Sequence, residues 1–140
     1  MKLINKILSF FKGSPAKPTK APAKITRLNT DPIEAILAEY LEQERFLEPG
    51  FSLHQLSSDI NIPYFVISKY FSLQGTNFND WKNRLRIKHV IFLMEQGDLQ
   101  LYTLDTLARQ AGFLSRSNFN ESFKKVTGMT AKNYSKKIKP

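Results

Sequence analysis

The sequence contains no cysteine. That excludes disulfides and thiolate metal sites, and it suits a reducing cytosol. Histidine is almost as scarce, since His54 and His89 are the only two. They fall in different predicted helices, with no carboxylate at ligand spacing beside either, so no metal is expected and both read as surface or boundary residues. No run of about 18 apolar residues occurs, which leaves no candidate membrane-spanning helix. Paired carboxylates with burial signals, a glycine-rich phosphate loop and a nucleophile with a histidine partner are also missing, so neither an enzyme nor a cofactor is expected.

Acidic residues are absent from residues 1–30, where Lys2, Lys6, Lys12, Lys17, Lys20, Lys24 and Arg27 lie. The formal charge of +9 therefore describes this stretch, because the rest of the chain holds 14 basic residues against all 12 acidic ones. Any basic face on a folded domain must come from clustering, not from excess. Residues 13–24, GSPAKPTKAPAK, combine proline, lysine and small side chains and read as a disordered linker. Ahead of them, residues 1–12 alternate apolar and basic positions. If helical, they would form an amphipathic segment able to touch an anionic membrane surface, although at that length a helix is marginal in water. A secretory signal is not expected, because charge interrupts the apolar stretch and no small-residue cleavage site follows.

With 140 residues, 41% of them hydrophobic, and eleven phenylalanines, the remainder suffices for one ordinary domain, with no room for a separate sensor. The punctuation from residue 31 is helical. Asp31-Pro32-Ile33-Glu34 supplies a cap, a first-turn proline and an acid, opening a helix to about Glu44 whose inner face is Ile33, Ile36, Leu37, Tyr40 and Leu41. Ser52 and Gln55 form a capping box for a short helix, a turn follows at Asn61-Ile62, and Pro63 opens a helix from Tyr64 to about Leu73. A long helix runs from Phe78 to Gln96, with Phe78, Trp81, Leu85 and Phe92 sharing a face, and would span roughly 28 Å, of the order of one DNA turn.

The short pair then recurs. Thr103 caps a helix with Leu104, Leu107 and Ala108 inward, Gly112 makes the turn, and Ser115 caps a helix to about Val126. Thr130 caps a last helix to about Lys137. Sliding the first pair along by 51 positions lays Leu53 on Leu104, Leu56 on Leu107 and Asn61 on Gly112. The fold expected is all-α with about seven helices. A tail at 1–30 precedes the domain at 31–140, in which a first helix-turn-helix unit (31–75) and a second (98–140) are joined by a connecting helix at 76–97.

The segment Thr103–Tyr134 carries a specific string: Ala108, Gly112 and Phe113 in the turn, Ser115-Arg116-Ser117 and Phe119 at the next helix start, Phe123-Lys124-Lys125, and Gly128-Met129-Thr130. It closely resembles the second helix-turn-helix of AraC/XylS-type transcription regulators. Leu53, Leu56, Ile67, Tyr70, Phe71, Gly75, Phe78, Trp81, Asn83 and Leu85-Arg86-Ile87 resemble the first unit and the connecting helix more weakly. Three positions depart from that pattern: the Phe71–Gly75 loop is one residue short, Val90 replaces a small alanine, and Ala131 replaces a helix-opening proline.

The resemblance implies double-stranded DNA as partner, with the helices at 63–73 and 115–126 entering successive major grooves, and RNA polymerase as a further partner. It implies a cytoplasmic, nucleoid-associated regulator; the amphipathic residues 1–12, outside the resemblance, leave as the alternative a peripherally membrane-tethered adaptor that keeps the fold but works through protein contacts. In the second unit Arg116, Ser117, Asn120 and Glu121 become base-reading candidates, suited to guanine (Arg116), adenine (Asn120) and the cytosine amino group (Glu121). Ser115, Lys124 and Lys125 are phosphate candidates, with Lys82 on the connecting helix a fourth. Phe65, Ser68 and Lys69 are the base-facing candidates of the first unit, which has one charge to offer and so implies apolar contact more than hydrogen-bonded readout. Arg86 becomes a structural brace. Target sequence, regulated genes, the sign of regulation and oligomeric state are not legible.

Overall fold

A computed structural model describes residues 23–138, with side chains from residue 32. The amphipathic start at 1–12 and nearly all of the 13–24 linker lie outside the described residues. Among the described residues there are seven α-helices and no strand: α1 (Ala23–Leu41), α2 (Leu53–Ile60), α3 (Tyr64–Leu73), α4 (Phe78–Glu95), α5 (Leu104–Gln110), α6 (Arg116–Thr127) and α7 (Ala131–Lys137). Single 3-10 turns sit at Arg45–Leu47 and Asp98–Gln100. No helix among these residues is long and apolar enough to cross a membrane.

The first helix departs from expectation. It starts at Ala23 and contains Pro32, instead of opening at the Asp31-Pro32 cap, and it stops at Leu41 short of Glu44. Pro32 has no N–H for the carbonyl four residues back, at Leu28, so the signal for a helix start here marks a missing rung. Ile36, placed on the inner face from its spacing, is exposed, while Ile33, Leu37, Tyr40 and Leu41 are buried.

The chain divides into two compact units, one holding the residues to Arg45 with Ser52–Phe78, the other Phe46–Phe51 with Asn79 onward. In the first, α3 lies against α1 and α2. Leu56, Ile67 and Phe71 are wholly buried there, with the Phe71 ring 6.3 Å from Phe78. A polar network fastens α1 to the end of α2. Tyr40 Oη donates to Asp59 Oδ2 at 2.5 Å and Gln55 Nε2 donates to Asp59 Oδ1 at 2.9 Å, while Arg45 Nη1 lies 3.3 Å from Asp59 Oδ2. Only half of the expected capping box forms. Ser52 Oγ accepts from the Gln55 amide at 3.1 Å, but the Gln55 side chain goes to Asp59 and does not return to Ser52.

In the second unit Ile87, Val90, Ile91 and Met94 of α4 join Leu107, Ala108, Ala111, Phe113, Phe119, Phe123 and Ala131 in one core. Phe92, expected on that face, is half-buried. Edge-to-face rings run in series through the core: Phe113 to Phe119 at 5.3 Å, Phe119 to Phe123 at 5.7 Å and Phe123 to Tyr134 at 5.4 Å.

Arg86 is buried in this unit. Its Nε donates to the Phe46 carbonyl and its Nη2 to the Glu48 carbonyl, both at 2.7 Å, and its Cζ lies 5.8 Å from the Phe113 ring centroid. Burial pulls its pKa down to about 10, so it stays charged at neutral pH. The brace implied by resemblance is thus a fastening of 46–51 to α4, and each of these partners belongs to the same unit. Gly112 completes it. Its φ is +99°, and a Cβ there would stand 2.6 Å from the Leu47 carbonyl oxygen and 2.8 Å from Arg86 Nε.

The internal repeat extends to several hydrogen bonds. Ser52 and Thr103 each accept from the amide three residues on, at 3.1 Å. Ile62 N donates to Ser57 O and Phe113 N to Ala108 O, the same closing turn 51 positions apart, with Asn61 taking the left-handed conformation that Gly112 takes.

Two predictions follow from this packing. Gly112→Ala and Arg86→Met should each lower unfolding free energy by about 1–3 kcal/mol, from strain in the first case and, in the second, from a buried Phe46 carbonyl left without its donor. Chemical denaturation checks this, and a parent-like midpoint would contradict it. The hydroxyl of Tyr40, Gln55 and the Arg45 guanidinium hold the Asp59 carboxyl below its ordinary 3.8 against an opposing push from burial. A carboxylate with lowered pKa adds stability that is fully present above its unfolded pKa, near 4, and is lost as pH falls through the lowered folded value. Asp59→Asn should therefore flatten the fall in melting temperature below about pH 4, and a parent-like slope there would contradict the assignment.

Candidate nucleic-acid interface

The face offered by α6 follows from how the helix starts and what it buries. Ser115 is extended and its Oγ accepts from the Asn118 amide at 3.0 Å, fixing the first turn. Phe119, Ser122 and Phe123 are buried, so the 3.6-residue period turns Arg116, Ser117, Asn120, Glu121 and Lys124 outward. All five are exposed. They line one open groove of about 670 Å³, together with Asp105 from α5 and Lys132 from α7. The four base-reading candidates of the second unit are therefore brought together.

The basic candidates divide. Lys124 lines the groove, whereas Lys125 Nζ lies 3.2 Å and 3.3 Å from the two oxygens of Asp80 at the start of α4. That pair is exposed, so it holds Lys125 only loosely, at about 0–1 kcal/mol. Lys82 departs from expectation. Its ammonium donates to the Phe51 carbonyl at 3.1 Å, and burial, followed by the nearby Arg86 charge, lowers its pKa. It lies half-buried, with one of its N–H groups on a main-chain carbonyl.

In the first unit, Ile67 and Phe71 take the buried side of α3, and Ser68 and Lys69 lie exposed on the other. Phe65 is 65% exposed and Tyr64 50%, so the Phe65 ring stands in solvent instead of packing on the preceding helix. The Tyr64 ring lies 6.1 Å from Phe65 and 5.1 Å from His54. This is an aromatic surface with one lysine.

Two groove residues were missed from the sequence. Asp105 sits in the first turn of α5, with Oδ2 3.2 Å from Arg109 Nη2 and Oδ1 3.7 Å from Arg116 Nε. Its i,i+4 spacing to Arg109 was legible, but the contact with Arg116 depends on how the Gly112 turn brings two helix starts together. Lys132 follows the Thr130 cap and carried no separate signal.

Comparison with known proteins agrees with this geometry. The model of the family described as a helix-turn-helix domain, of AraC type, matches residues 56–137. A solved structure of a protein of unknown function from Listeria innocua is 31% identical with a TM-score of 0.59, over 74% of this chain and 94% of that one. No curated protein matches. The matched residues contain α3 through α7 whole, with the turn at Gly112. The chain belongs to the AraC/XylS-type helix-turn-helix family, a family of DNA-binding transcription regulators and not of enzymes.

Proposed function

We propose that the protein is a sequence-specific regulator that reads double-stranded DNA chiefly through α6. The observation that carries this reading is the exposed face of Arg116, Ser117, Asn120 and Glu121 opposite the buried Phe119 and Phe123. A helix in the major groove presents such a face to base edges. Arg116 can donate twice to guanine, Asn120 can pair with adenine, and Glu121 can accept from cytosine. Ser115 at the positive helix start and Lys124 serve phosphates, and Lys125 exchanges Asp80 for phosphate at small cost. Lys132 joins them on the groove wall.

In this reading α3 enters the neighbouring major groove, with Phe65 against thymine methyls and Ser68 and Lys69 beside it. The site of action would be the nucleoid, with RNA polymerase as the partner that converts binding into regulation.

Selection of bound duplexes from a random pool tests this, using the parent, Arg116→Ala and Asn120→Ala. Each variant should lose preference at one base position, by about 5–150-fold, while preference elsewhere is kept. Identical selected sequences from all three chains, or no enrichment by the parent, would contradict it.

A further inference from the structure

Arg116 faces a carboxylate from outside α6. Its main chain is fixed at the first helical position by the Ser115 cap, but its side chain is 75% exposed and would sample many rotamers if nothing restrained it. Asp105, at the start of α5, meets it. The two carboxylate oxygens divide between two arginines, Oδ2 facing Arg109 Nη2 at 3.2 Å and Oδ1 facing Arg116 Nε at 3.7 Å. Arg109 comes from the same helix one turn on.

We propose that Asp105 is a positioning residue for base recognition, engaging the Nε edge of Arg116 so that its two terminal nitrogens face outward as a fork for guanine. The proposal rests on the reading that Arg116 contacts a base. A guanidinium offers five N–H groups in a fixed plane, so a contact at Nε sets the direction of the other four. Guanine O6 and N7 accept two of those in parallel. An arginine already turned toward them loses less rotamer freedom on binding.

Folding stability does not account for the arrangement, because an exposed ion pair of this kind contributes little to it. Attraction to DNA does not account for it either, since a carboxylate in the groove repels phosphate. Removing Asp105 should therefore move two observables in opposite directions. Guanine preference should weaken, and binding to unrelated duplex should stay level or tighten. A structural role would weaken both together.

The test uses the full chain with a random duplex pool, followed by competition titrations in which only the guanine assigned to Arg116 is changed. Asp105→Ala and Asp105→Asn should each cut discrimination at that base pair about tenfold, with melting temperature and other base preferences unchanged. In an Arg116→Ala background the same changes should have no further effect on discrimination, because the two residues act as one unit. Arg109→Ala should keep the guanine preference. If Arg116→Ala abolishes the preference while both Asp105 variants retain it, the positioning role is overturned and the base-reading role stands. If Arg116→Ala itself retains it, the base-reading role falls and the positioning role falls with it.

Discussion

A buried guanidinium lies under the turn between α5 and α6. Arg86 donates to the carbonyls of Phe46 and Glu48, lies over Phe113, and leaves so little room that residue 112 can carry no Cβ. These contacts fix the turn between α5 and α6 against the 46–51 segment. From that turn follow the direction of α6, the approach of Asp105 to Arg116, and the groove in which the polar side chains meet. Removing this guanidinium would leave the buried Phe46 carbonyl without its donor, a larger cost than any surface contact here.

Much of this was legible where the signal is local. Ser52, Thr103, Ser115 and Thr130 each cap the helix they were expected to cap, because a side chain bonding three residues ahead needs no tertiary context. The alternation of Phe119 and Phe123 with Arg116 and Asn120 likewise contains its own buried and open faces. What was missed depends on elements far apart in the chain. Arg86 finds its carbonyls 38 and 40 residues upstream, and Lys125 finds Asp80 at a separation of 45. No spacing rule announces such pairs. The Phe51 carbonyl partner of Lys82 lies 31 residues upstream and was missed for the same reason, since a lysine on an amphipathic helix looks solvated until such a partner is seen. The start of α1 failed differently, because the helix runs from Ala23 straight through the cap-and-proline signal.

The two readers are built on one hydrogen-bonded plan yet carry different chemistry. The same cap, closing turn and buried leucine recur 51 positions apart, so the scaffold presents a helix in each case. On α6 that helix carries hydrogen-bonding and charged groups; on α3 it carries Phe65 and Tyr64. Net charge contributes little to this distinction, because most of it resides in residues 1–30. In this account selectivity comes from a few oriented groups on α6, with α3 adding apolar contact, and phosphate attraction sets affinity without choosing a sequence.

The most direct measurement is an amide chemical-shift titration of the labelled full chain with the duplex it selects. The account predicts saturable shifts concentrated in residues 115–124, with a second cluster at 64–69. Shifts confined to residues 1–30, with α6 unmoved, would contradict it.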